Sequence, residues 1–144
     1  MILKKLQKLS LIYQIIFLIL FSTILKANEV KIIVKIGDEI ITNIDIENEY
    51  NYLTTLNVSL KQISKDQVIS FAQNSLIKEK IKKYELLKFY KLDNKNQTID
   101  LMIEDIYNKL NINSLDEFKQ YLKSNYLDFD NIYKKIEIES VWNE

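Results

Sequence analysis

A single glycine and the absence of proline constrain this chain more than any other feature of its sequence. Proline removes a backbone donor, and glycine adopts conformations that end regular structure. A chain of 144 residues in which Gly37 is the one exception has few places where a helix must stop. The length gives room for one modest domain. The sequence therefore predicts a mainly α-helical domain with one exceptional turn at Gly37.

The stretch around Gly37 predicts a β-hairpin. Before the glycine, apolar residues recur at every second position, at Val30, Ile32, Val34 and Ile36. This period of two is typical of a strand with one buried face. Gly37 and Asp38 supply a two-residue turn, because glycine tolerates the positive φ that such turns require. A two-stranded hairpin is not stable alone in water, so we expect it to pack on the helices that follow.

Polar caps divide the rest of the chain into about five helices. A hydroxyl residue followed three positions later by an acid or an amide predicts a helix start, and this pattern occurs at Thr42, Ser64 and Ser114. Asp128 or Asp130 is the expected cap of the last helix. The helix after Ser64 is expected to reach about Lys91, which makes it long enough to serve as a spine for the shorter helices.

Residues 1–27 have the three parts of a secretory signal peptide. Basic residues near the start precede an apolar run over residues 11–25, and Ala27 stands at the expected cleavage position before Asn28. The run is shorter than the roughly 20 residues that a membrane span needs. We therefore expect a signal peptide over residues 1–27 and a domain over residues 28–144. The signal peptide is the only part of the chain that we expect to contact a membrane. An uncleaved N-terminal anchor and a buried core helix are the alternatives.

Composition argues against several kinds of function. Without the first 27 residues the chain has 16 lysines and 20 acidic residues, a net charge of −4, whereas nucleic-acid binding needs a basic surface. Histidine and cysteine are both absent, so the common nucleophile, general-base and metal-ligand sets are missing. The sequence also has no phosphate-binding loop. It predicts no catalytic residue, no metal, no cofactor and no nucleic-acid partner, and no enzymatic activity for this chain.

Aromatic residues are the remaining candidates for binding. Tyrosine and tryptophan offer rigid apolar area with a polar tip, which suits an apolar groove for an extended peptide. The candidate peptide-binding residues are Tyr84, Phe89, Tyr90, Tyr126, Phe129, Tyr133 and Trp142. Their helical spacing is equally explained if they fill the core between helices. Both interpretations stay open at this point.

Three segments of the chain resemble the SurA family of periplasmic chaperones and its peptidyl-prolyl isomerase relatives. Residues 34–45, VKIGDEIITNID, look like the family's opening V-x-V-N-x-E-x-I-T-x-x-D. Residues 75–81, SLIKEKI, are similar to its LI-x-E-x-L/I spine helix. Residues 115–143 carry LDEF, YLDFD, KIEIE and WN in the order of the family's later segment. The resemblance covers nearly all of residues 30–144.

The resemblance implies a fold and a function. The fold would be that of the SurA N-terminal domain, which is similar to the C-terminal domain of trigger factor, behind a signal peptide. The function would be ATP-independent binding of unfolded outer-membrane proteins in the periplasm of a Gram-negative bacterium, assisting their assembly. Full-length relatives continue into parvulin-type isomerase domains and a C-terminal segment that completes the N-terminal domain. This sequence carries neither, so a missing C-terminal part is a further candidate partner. The alternatives are a truncated peptidyl-prolyl isomerase and a membrane-tethered envelope scaffold.

Overall fold

The structure, a computed structural model, describes residues 13–14, 29–92 and 96–143. In these ranges a two-stranded antiparallel hairpin precedes five helices of three to six turns, with a short 3-10 helix over Val58–Gln62. The strands are β1 (Ile32–Ile36) and β2 (Glu39–Thr42), and the helices are α1 (Asn43–Leu56), α2 (Lys65–Leu86), α3 (Gln97–Lys109), α4 (Leu115–Ser124) and α5 (Phe129–Asn143). The prediction of a mainly α fold with an N-terminal hairpin is confirmed. The expected signal peptide and its cleavage position at Ala27 and Asn28 lie outside the described residues, apart from Tyr13 and Gln14.

The hairpin turns at the glycine, as predicted. Ile36 pairs with Glu39 across the turn, and Gly37 has a φ of 57°. The prediction of one buried face on β1 is wrong at its start, where Ile32 is 65% exposed. The strand register shifts between Ile32 and Val34, and such an irregularity reverses the side of the sheet to which the preceding residues point. Val34 is half-buried, so the face that packs on the helices begins there.

Local hydrogen bonds explain where the first two helices start. The Thr42 backbone N–H donates to the Asp45 carboxylate (2.7 Å), and Asp45 N–H donates to the Thr42 hydroxyl (3.2 Å), which completes a capping box. Ser64 and Gln67 form the same reciprocal pair at the start of α2. The helix ends at Leu86, somewhat earlier than the expected end near Lys91.

The later caps are simpler. The Ser114 hydroxyl accepts the Glu117 N–H (3.2 Å), but the Glu117 carboxylate accepts from Asn113 and not from the cap itself. Of the two acids expected to cap α5, Asp128 does so, because its carboxylate accepts the N–H of Asn131 (3.0 Å).

Helix α2 is the predicted spine, since it packs against α1, α5 and both strands. The buried apolar residues form two cores. The hairpin core consists of Ile41, Ile46, Ala72 and Leu76. The helical core consists of Ile99, Ile103, Phe118, Leu122, Ile132 and Ile136. Helix α1 contributes to both cores, because Ile46 is buried in the first and Tyr52 packs against the second.

Candidate functional site

An apolar groove lies between the hairpin, α1 and α2. Its volume is about 370 Å³. The apolar lining consists of Ile33, Ile46, Tyr50 and Ile69, and the polar lining of Asn43, Glu47, Lys65 and Gln73. Ligand-binding clefts usually combine apolar walls with a few polar groups, and their volumes run from about 300 to 1,000 Å³. The apolar groove therefore has the size and chemistry to accept apolar side chains.

The hairpin also exposes apolar side chains, of which Ile33 lines the groove. Val30 is 64% exposed and Ile32 is 65% exposed, and Ile33 and Ile40 are nearly half exposed. Within the described ranges, β1 and β2 pair only with each other. Strand edges of this kind can pair with another extended chain. The hairpin thus offers exposed apolar side chains in addition to the groove.

A second, polar cleft of about 490 Å³ lies between α1, α2 and α5. Its floor holds an ion cluster. Lys135 Nζ lies 2.8 Å from Glu49 Oε2 and also pairs with Glu79. The Ser75 hydroxyl donates to Glu49 Oε1 (2.7 Å), and the Glu49 side chain is 2% exposed. The three helices are thereby joined through one ammonium group.

The surroundings of the ion cluster shift two pKa values. Burial opposes the charged form of Lys135, but the carboxylates of Glu79 and Glu49 outweigh it and raise the pKa of Lys135 above its ordinary value. Burial raises the pKa of Tyr52 to about 12, and its ring lies 5.1 Å from Lys135 Nζ. The cluster pairs one ammonium group with two carboxylates and links three helices.

A separate ion group fixes the hairpin to α2. Glu39 on β2 pairs with Lys80 and with Lys83, the latter at 3.0 Å. The hydrogen bond from Lys80 lowers the pKa of Glu39 against the opposing effect of burial, and Lys83 adds to the decrease. This group holds the turn end of the hairpin against the C-terminal part of α2.

Among the residues that the structure describes, no cluster of acidic side chains is arranged to hold a metal ion. Across the same residues, no helix combines the length and the hydropathy required to cross a bilayer.

The seven predicted binding aromatics are distributed over several regions. Phe129 and Tyr133 pack against the helical core. Tyr126 is 96% exposed and lines the polar cleft. The ring of Tyr84 lies against Gly37, with Lys88 Nζ 4.5 Å from its centroid. The role of these residues in binding stays a prediction.

The other three predicted aromatics lie at one end of the molecule. Helices α2 and α5 run in the same direction, since Glu79 pairs with Lys135 and Lys82 pairs with Glu139. Lys82 Nζ also lies 5.8 Å from the Trp142 ring, so the C-terminal ends of α2 and α5 lie side by side. We define the terminal patch as the exposed residues at these two ends, namely Leu87, Phe89, Tyr90 and Trp142.

The sequence did not predict the apolar groove. Its lining comes from one strand and two helices, and none of the seven predicted aromatics belongs to it. The pair Ile32-Ile33 was the available signal in the sequence. Two neighbouring residues in a strand point to opposite faces, so one of these two apolar side chains must lie outside the core on which the strand packs.

The described residues define a helical domain that opens with a hairpin and presents an apolar groove beside it. Comparisons of the chain with protein-family models, with curated proteins and with solved structures find no match.

Proposed function

We propose that this chain is an ATP-independent chaperone of the Gram-negative periplasm that binds unfolded outer-membrane proteins and assists their assembly. The proposal is supported by the three segments that resemble the SurA family and by the hairpin-plus-helices architecture that this resemblance implies. The signal-peptide pattern of residues 1–27 supports the location.

The observation that carries the proposal is the apolar groove, together with the exposed apolar residues of the hairpin. The apolar part of its lining is aliphatic apart from Tyr50, so it can pack against many kinds of apolar side chain without selecting one. Unfolded outer-membrane strands alternate apolar and polar residues, and an extended segment can place every second side chain in such a groove. Lys65 and Glu47 flank the groove and suit the polar residues between.

The terminal patch offers a second contact for the same client. Phe89 is 82% exposed and Trp142 is 45% exposed, at the ends of helices that are held together by Lys82. Two weak sites on one long unfolded chain reinforce each other, because the second binding event becomes intramolecular. Each contact stays weak enough for release, since ordering an unfolded client has a large entropic cost.

The test is suppression of aggregation. An unfolded outer-membrane β-barrel protein is diluted from urea, and light scattering is followed with increasing amounts of the purified chain, with and without ATP. We expect suppression that ATP does not alter. Ile33→Ser removes an apolar side chain from the groove lining, and we expect it to raise the amount needed about tenfold.

Leu101→Ser is the matched control, because Leu101 is an aliphatic residue on α3 that is 58% exposed and does not line the groove. It should suppress aggregation as the unaltered chain does. Circular dichroism of both variants checks that they are folded. Failure of the unaltered chain to suppress aggregation at molar excess would contradict the proposed function, and equal effects of the two variants would contradict the assignment to the groove.

A further inference from the structure

A strained and exposed tyrosine, Tyr126, lines the polar cleft. It follows α4 in a Schellman motif, in which the Tyr126 N–H donates to the Lys123 carbonyl (3.1 Å). The Leu127 N–H donates to the Leu122 carbonyl (2.9 Å) in the same motif. Tyr126 has a φ of 59°, at the position where glycine is usual. Its side chain is 96% exposed, so packing does not offset the strain, and the strain indicates a role outside folding.

The backbone that carries this tyrosine is fixed between α1 and α5. On one side, Asn51 Nδ2 on α1 donates to the carbonyl of Asn125, the residue before Tyr126 (2.8 Å). On the other side, Leu127 packs against the helical core and Asp128 caps α5. The position of the Tyr126 backbone relative to the cleft is therefore determined by the fold.

The charges that line the polar cleft are balanced, since four lysines and four acidic residues contribute to the lining. Most of the ammonium groups already have partners within the protein. Lys80 and Lys83 pair with the Glu39 carboxylate of the hairpin. Lys135 pairs with Glu49 and Glu79 in the ion cluster. A charged ligand would have to compete with these pairs, so the cleft favours an uncharged one.

Uncharged hydrogen-bonding groups line the same cleft. They are the side chains of Asn48, Asn51 and Asn131, of which Asn48 and Asn131 are exposed. A carboxamide both donates and accepts hydrogen bonds, as each hydroxyl group of a saccharide does. The ring of Tyr126 adds an apolar face with negative electrostatic potential, which suits the C–H groups of a sugar ring. Amides and an exposed aromatic ring together match the two sides of a saccharide.

We propose that the polar cleft binds a neutral saccharide. One sugar ring stacks on Tyr126, and the sugar hydroxyls form hydrogen bonds with Asn48 and Asn131. The cleft volume of about 490 Å³ lies within the range of small-molecule sites. The polar cleft shares no lining residue with the apolar groove, so the proposal does not rest on the chaperone function.

The test is titration of the purified, nitrogen-labelled chain with maltose and cellobiose, followed by amide NMR spectra. We expect shifts of the side-chain amides of Asn48 and Asn131 and of the Tyr126 backbone amide, with a dissociation constant of about 0.1 to 1 mM. Maltohexaose and cellohexaose distinguish the source of the sugar, because tighter binding of these chains identifies a longer glycan and equal binding a free sugar. Spermidine and inositol hexaphosphate are the charged probes. Shifts in the cleft with a charged probe alone overturn the proposal, as does the absence of shifts with every one of these sugars.

Tyr126→Gly separates binding from stability. Glycine removes the ring and relieves the positive φ, so we expect a melting temperature a few degrees higher. Sugar binding should weaken at least about tenfold. Tyr126→Phe keeps the ring, and its binding should stay within about twofold of the unaltered chain. Unchanged binding by Tyr126→Gly would overturn the proposal.

Asn131→Ala tests the opposite side of the site. We expect sugar binding about three- to tenfold weaker, since one hydrogen-bonding group is lost. Asn108→Ala is the matched control, because Asn108 is an exposed asparagine on α3 that does not line the cleft. Circular dichroism checks that both variants are folded. Equal binding by the two variants would overturn the proposal.

Discussion

At the scale of single residues, the polar side chains buried between α1, α2 and α5 distinguish this domain from a purely apolar bundle. Glu49 is nearly inaccessible, yet both of its oxygens have partners, Ser75 on one side and Lys135 on the other. Tyr52 lies against the same ammonium group. Burying these groups is tolerable only because each has a partner, and this makes the stability of the domain sensitive to their protonation.

The raised pKa of Tyr52 predicts that the domain loses stability at high pH. Its pKa is raised to about 12 in the folded state, above the ordinary value of about 10. The folded state therefore holds the phenol proton more tightly than the unfolded state does. The contribution of the protonated phenol to stability is complete below pH 10 and disappears as the pH rises towards 12. The raised pKa of Lys135 acts in the same direction. We expect the free energy of unfolding to fall by about 1 to 3 kcal/mol over this range.

Urea unfolding at a series of pH values measures this loss. Tyr52→Phe should reduce the decrease between pH 10 and 12, leaving the smaller part that Lys135 causes. Tyr126→Phe is the control, because Tyr126 is 96% exposed and its replacement should leave the pH profile unchanged. An unaltered alkaline decrease in Tyr52→Phe would show that the buried phenol is not responsible.

At the scale of elements, the hairpin depends on one residue at its turn and on one face of α2. Gly37 has a φ of 57°, and a Cβ placed there would lie 3.3 Å from Cε2 of Tyr84. Glu39 holds the same end of the hairpin through Lys80 and Lys83. The turn and its docking site on the helix are therefore coupled.

Gly37→Ala is expected to destabilise the domain by about 1 to 2 kcal/mol. The backbone strain of a positive φ on an L-residue and the close approach to the Tyr84 ring both contribute. Chemical denaturation of this variant and of Asp38→Ala gives the comparison, since Asp38 does not adopt a positive φ and its replacement should stay within about 0.5 kcal/mol. Equal stability of the two variants would mean that the turn relaxes without cost.

At the scale of the whole molecule, the two apolar cores are connected through α1 and the ion cluster. Helix α1 takes part in both cores, and the ion cluster ties it to α2 and α5. Lys135 is the centre of that connection, because its ammonium group reaches Glu49 on α1 and Glu79 on α2. We therefore expect the cores to unfold together.

Lys135→Met tests this connection. Removing Lys135 leaves the buried Glu49 and the half-buried Glu79 without this counter-charge. Such a loss costs about 3–5 kcal/mol at fully buried sites. Lys135 keeps 21% of its side chain exposed, so we expect a loss of about 2 to 4 kcal/mol. Urea unfolding is followed by far-UV circular dichroism and by the fluorescence of Trp142, the single tryptophan.

The neighbouring Lys134→Met is the matched control, because Lys134 is exposed and its replacement should change stability by no more than about 0.5 kcal/mol. In the unaltered chain the two probes should report one transition. Similar stabilities of the two variants would contradict the role of Lys135, and separate transitions in the unaltered chain would contradict a single cooperative unit.

The sequence was sufficient to predict those structural features that depend on residues close together in the chain. The capping pairs at Thr42 and Ser64 and the turn at Gly37 are confirmed, because a hydrogen bond over three residues or a single torsion angle determines each of them. The number of helices followed from the same local signals. The binding role of the aromatics, by contrast, stays a prediction.

The groove, the exposure of Ile32 and the ion cluster depend on tertiary structure and could not be predicted from the sequence. The Ser75 hydroxyl and the Glu49 carboxylate are 26 positions apart in sequence, and Lys135 and Glu79 are 56 positions apart. No periodic pattern encodes contacts over such separations, since they depend on how α1, α2 and α5 settle against one another. Local torsions and caps thus determined which elements form, whereas long-range packing determined which side chains remain exposed.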